Sequence, residues 1–104
     1  MTLRLLPLAL ALVAGAAQAD LLKDPQWQAW LDTGKTGDLV RAAKAKGDDD
    51  QAAIALAMAA VDDNDGPRLE AAIPALQTCV DKHPQAACAY ALGRVYGQQA
   101  MTAS

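Results

Sequence analysis

Glycine, proline and aspartate cut this chain at short intervals, and what lies between the cuts has helical periodicity. Asp24 before Pro25 starts a helix, because the carboxylate caps exposed amides and proline suits the first turn. Trp27, Trp30 and Leu31 follow at i, i+3 and i+4 as one apolar face, which Gly34 closes. Thr36 is placed to cap a second helix carrying Leu39, Ala42, Ala43 and Ala45. Its late Arg41, Lys44 and Lys46 complement the negative end of the helix dipole, and Gly47 ends it. Asp48-Asp49-Asp50 opens a third helix that runs to about Val61. Ile54, Met58 and Val61 form one stripe there, but Leu56 and the alanines cover other faces, so this helix packs on several sides.

The polar turn Asp62-Asp63-Asn64-Asp65-Gly66-Pro67 leads into a fourth helix, roughly residues 67–82, with Leu69, Ile73, Leu76 and Val80 as its core stripe. Pro74 removes one hydrogen bond and crowds the carbonyl of Glu70, which predicts a kink or a helix that begins in earnest near Pro74. His83-Pro84 ends it, and a fifth helix runs from about Gln85 past Tyr96. No segment alternates apolar and polar as a strand does. The expected fold class is all-α, with about five helices.

The first 19 residues read as a cleavable export signal rather than as part of that fold. Arg4 supplies a positive start, an apolar run extends from Leu5 to Ala14, and Ala17-Gln18-Ala19 offers small residues to a signal peptidase. The run is shorter than the about 20 apolar residues a membrane span needs. Cleavage is expected after Ala19, leaving one small domain over residues 20–104. The residue directly after the cleavage site is Asp20 and not cysteine, which argues against a lipid anchor. With the high alanine content, the signal points to a periplasmic location. Arg4 leaves with the signal, so eight basic residues face twelve acidic ones. That balance argues against nucleic acid and an anionic membrane surface, which need clustered lysine and arginine.

Sliding the chain by 36 residues lays Ala53-Ile54-Ala55-Leu56-Ala57 on Ala89-Tyr90-Ala91-Leu92-Gly93: small, large, small, Leu, small. Such a period belongs to helix-turn-helix repeats, which stack because one unit cannot bury its own apolar face. The run from Ala89 through Arg94 and Val95 to Tyr96 resembles the first-helix pattern of the tetratricopeptide family, including its Sel-like branch. Glu70-Ala71-Ala72-Ile73-Pro74-Ala75-Leu76, ending at His83-Pro84, is similar to that family's second helix. The likeness covers residues 48–97, with Ala57 and Ala60 where the pattern has Gly and Tyr. It implies a short right-handed stack of antiparallel helix pairs and protein or peptide binding on a concave face. In that packing Leu56, Ala89, Tyr90 and Leu92 join the interface between helices, Gly93 admits a neighbouring helix closely, and Tyr96 packs beside it. The fifth helix would then be half of a repeat. An end without a polar cap implies self-association into a homo-oligomer, a covering partner, or truncation.

Cys79 and Cys88 stand four or five residues to either side of the His83-Pro84 bend, so antiparallel helices place them at similar height. In an exported chain they are expected to form a structural disulfide. A redox pair is the sharper alternative, but the CxxC spacing at a helix start is missing. Two sulfurs and one histidine fall short of a zinc set. His83, the only histidine, suits a helix end or the surface better than the role of general base. No nucleophile shows a triad motif, and Ser104 is the only serine. A calcium loop counted from Asp62 puts Gly66 fifth and Ile73 twelfth, which misses the required positions. Glu70 is the only glutamate and has no second carboxylate at a defined spacing. Trp27 and Trp30 could form a binding platform, but at helical spacing they read as core.

These residues imply no metal, no cofactor and no catalysis. The expected function is an exported module mediating protein–protein interaction in the periplasm. The alternatives are a periplasmic inhibitor or immunity-like protein, and a thiol-redox or enzyme accessory subunit using the two cysteines.

Overall fold

Carboxylates set the start of three helices. Asp24 accepts from the amides of Gln26 and Trp27 at 2.8 and 3.3 Å, Asp49 from those of Gln51 and Ala52 at 2.8 and 3.2 Å, and Asp65 from that of Arg68 at 3.2 Å. Each bond satisfies an amide that the first helical turn leaves unpaired. In the computed structural model, which describes residues 21–83 and 86–103, these caps frame an all-α fold with no strand among the described residues. The helices are α1 (Pro25–Asp32), α2 (Thr36–Lys46), α3 (Asp50–Asp63), α4 (Gly66–Lys82) and α5 (Ala86–Ala103). The expected signal at residues 1–19, its cleavage point before Asp20, Pro84 and Ser104 lie outside the described residues. Asn64 closes α3 in the left-handed conformation, with φ 50°, which asparagine tolerates better than most residues.

Thr36 does not cap α2. Lys35 takes the cap position without a side-chain hydrogen bond, and Thr36 lies one residue inside and buried. There its Oγ1 donates to Asp63 Oδ1 at 2.9 Å, tying the start of α2 to the end of α3. Nor does α4 begin near Pro74: it runs unbroken from Gly66 to Lys82. Pro74 and Glu70 are both exposed, on the side where water can serve a carbonyl that has lost its amide partner. The buried line of α4 is Leu69, Ala72, Leu76 and Cys79. Ile73 and Val80, expected in the stripe, sit half-buried at its edge, because α4 divides its inner face between α3 and α5.

A few polar contacts fix the helix directions. His83 Nδ1, just past the end of α4, lies 2.9 Å from Asp50 Oδ2 at the start of α3. Late in α5, Gln98 Nε2 donates to Asn64 Oδ1 at 2.8 Å, just beyond α3. Together with the Thr36–Asp63 bond, they make α2 and α4 antiparallel to α3 and α5 parallel to it. Before α1, the amide of Lys23 donates to Gln51 Oε1 at 2.7 Å, so α1 also sets out beside the start of α3. Successive helices therefore form antiparallel pairs.

The third helix is the hub and packs against the other four. It buries Ala52, Ile54, Ala55, Ala57, Met58, Ala59, Ala60 and Val61. Alanines on several faces let neighbouring backbones come close, while Leu39, Leu69, Leu76 and Val95 fill the remaining space.

Candidate interaction surface

Cys79 and Cys88 are joined by a disulfide with a Cα–Cα distance of 6.1 Å, and both are buried. Among the described residues no cysteine is free. The bond fixes the rotation of α5 as well as its position. With Cys88 inward, Ala91 and Val95 follow at i+3 and i+7 and are also fully buried, while Ala87 and Leu92 pack at the edge of the core.

That rotation turns most of the expected packing motif outward. Ala89, Tyr90, Gly93 and Tyr96 are exposed, whereas Leu56 and Leu92 are half-buried against the core. Among the described residues no neighbouring helix lies close against Gly93: a Cβ there would meet nothing within 4 Å. The same holds at Gly97. Tyr96 does not pack beside a close helix contact and is 48% exposed. The physical reason is register, since a helix that points residues 88, 91 and 95 inward points 93 and 97 away.

The outer face of α5 is accordingly apolar and exposed. Tyr90 and Met101 are 49% and 73% exposed, and with Tyr96 they are the large hydrophobic residues exposed in the described part of the chain. Grouped exposure of this kind on one helix is a mark of a contact surface. Gly93 and Gly97, four apart, form a low line between Tyr96 on one side and Arg94 and Met101 on the other. Arg94 is the only charged residue of α5. Its Nη1 donates to the Tyr90 hydroxyl at 3.1 Å, and its guanidinium carbon lies 5.9 Å from the Tyr90 ring centre. Among the described residues no carboxylate forms an ion pair with it.

Other hollows offer less. A shallow groove of about 200 Å³ between α2, α3 and α4 is lined by Val40, Lys44, Leu56, Arg68, Ala71 and Ala72. Arg68 reaches Asp63 Oδ2 at 3.0 Å and Asp65 Oδ2 at 3.5 Å, so its charge is already met by two carboxylates. Its Nη2 is buried without a hydrogen-bond partner. Around Trp27, a hollow of about 170 Å³ is walled by Lys23, Asp24, Lys46, Asp49 and Gln51, but Asp24 and Asp49 are occupied as helix caps. Trp27 and Trp30 pack against the core. His83 closes α4, its amide donating to the Cys79 carbonyl at 2.8 Å. Among the described residues no group of three or more His, Cys, Asp or Glu is placed to hold a metal ion, and no helix is long and apolar enough to cross a membrane.

The α5 face was missed in the sequence because the repeat motif assigns its residues to internal packing. One signal was available: a helix of 18 residues with a single charge and no acid, in a chain where acidic residues outnumber basic ones. No family model, curated protein or solved structure matches the chain.

Proposed function

We propose that this protein is an exported, non-catalytic helical-repeat module that binds a protein partner in the periplasm. The outer face of α5 is the observation that carries this reading. Tyr90, Tyr96, Met101 and Arg94 are residue types that concentrate at the centres of protein interfaces, and here all four are exposed on the outward half of one helix. Stacked helix pairs present such a face to the next element, and the 36-residue period and the likeness to tetratricopeptide repeats agree with it. Burial of both sulfurs weighs against the thiol-redox alternative, because exchange needs an accessible sulfur.

The test is site-specific photo-crosslinking in cells producing the full chain. A photoreactive residue at Tyr96 should give a discrete adduct in the periplasmic fraction, while one at exposed Gln77 on α4 should give none. Equal labelling from both sites, or none from either, would count against the reading. The mass of the chain that escapes crosslinking also reports export: it should correspond to a start at Asp20 and lie two hydrogens below the reduced form.

A further inference from the structure

Resting on that reading, we propose that the partner meets α5 with an acidic amphipathic helix, laid along the Gly93–Gly97 line with a carboxylate against Arg94. Charge selects this occupant. Arg94 is the single charge on this helix, and among the described residues it leans on Tyr90 and on no carboxylate. A guanidinium forms its strongest contacts with a carboxylate, through paired hydrogen bonds. A second copy of this chain is the poorer occupant, because another α5 brings no acid to Arg94. Antiparallel pairing of two α5 helices about the glycine line would also set the two Arg94 side chains side by side.

Shape points the same way. Among the described residues nothing requires glycine at 93 or 97, since a Cβ at either site meets no atom within 4 Å. Glycine weakens a helix interior, so its use at both sites suits a close approach from outside. A cylinder fits that line, because Tyr96 rises on one flank and Arg94 and Met101 on the other. The contact is of modest size. An 18-residue helix is about 27 Å long, and one such face covers less than the about 800 Å² per partner of a standard interface. Affinity for a single helix is therefore expected in the micromolar range.

The probe is a displayed library of 18-residue amphipathic helices whose flanking charges are randomised, selected against the purified protein. Binders should carry Asp or Glu at one flanking register and lose about tenfold or more in affinity against Arg94→Glu. Exchanging that acid for Lys should restore binding to the Arg94→Glu protein. Gly93→Leu should abolish binding while its melting temperature holds or rises, which separates docking from folding. Binders without an acidic preference, or indifferent to Arg94→Glu, would overturn the partner's chemistry and leave docking on α5 intact. A concentration-dependent dimer abolished by Gly93→Leu would make the second copy the occupant and overturn the proposal. No enriched helix, alongside a crosslink at Tyr96, would refute the helix alone. No enriched helix and no crosslink would remove the proposed function with it.

Discussion

Replacing both Cys79 and Cys88 by alanine releases α5 from α4, and the cost follows from two terms. The cysteines are nine residues apart, and closing a loop of about ten residues restrains the unfolded chain by about 2.7 kcal/mol in chain-entropy arithmetic. Both sulfurs are also buried, and each lost heavy atom adds about 0.8 kcal/mol if it counts as a methylene. The double alanine variant should therefore lose about 4 kcal/mol, whereas reduction of the native protein, which keeps the thiols, should lose only about 2.7 kcal/mol. For a domain of this size, 1 kcal/mol moves the melting point by about 4–8 °C, so reduction alone should lower it by about 10–20 °C. Thermal melts followed by far-ultraviolet circular dichroism on oxidised, reduced and double-alanine protein should separate in that order. Reduced and oxidised protein melting together would refute the reasoning, since loop closure would then contribute nothing to holding α5 on α4.

Pro74→Ala should stabilise the protein by about 2 kcal/mol, because a helix-interior proline costs about 3 kcal/mol and its unfolded-state benefit returns up to about 1 kcal/mol. The urea midpoint should rise at unchanged slope; no rise would mean that α4 already absorbs the break. Asp49→Ala should cost about 1 kcal/mol, since it frees two amides at the start of α3. An unchanged urea midpoint would show that water caps α3 equally well. Gly93→Ala should raise stability by about 0.5–1 kcal/mol, because the new methyl meets only open space. A drop in melting temperature would mean that Gly93 serves internal packing.

Helix number, the cap at Asp24 and the acidic start of α3 at Asp48-Asp49-Asp50 were legible because such end effects act across two or three residues and need no knowledge of the fold. Which of the three carboxylates caps α3, Asp49, came from the structure. The disulfide was legible for a related reason: both cysteines flank one bend. Thr36 misled because its hydroxyl partner, Asp63, is 27 positions away, and nothing local announces it. Pro74 misled in the opposite sense. Local propensity argues for a break, but Leu69, Leu76 and Cys79 are anchored in the core on either side of it, and packing overrides propensity. The face of α5 was the least legible feature. Periodicity places Gly93, Gly97 and Tyr96 near one another on the helix, yet which side turns inward is set by Cys88 and Val95 meeting other helices. A motif that assumes a following helix reads that face as interior.

The antiparallel order of the helices has a kinetic consequence. The extensive contacts join helices that are adjacent in the chain or separated by one other, so little sequence lies between touching residues. Chains of that topology fold in microseconds to milliseconds. Each helix can find its neighbours soon after it forms, without waiting for a distant segment. The oxidation step shares this economy: with two cysteines in the chain, there is one intrachain pairing and no wrong one to undo. Collapse of α5 onto α4 brings the two sulfurs together, so the rate at which the bond closes should be that of the oxidant and not of the search.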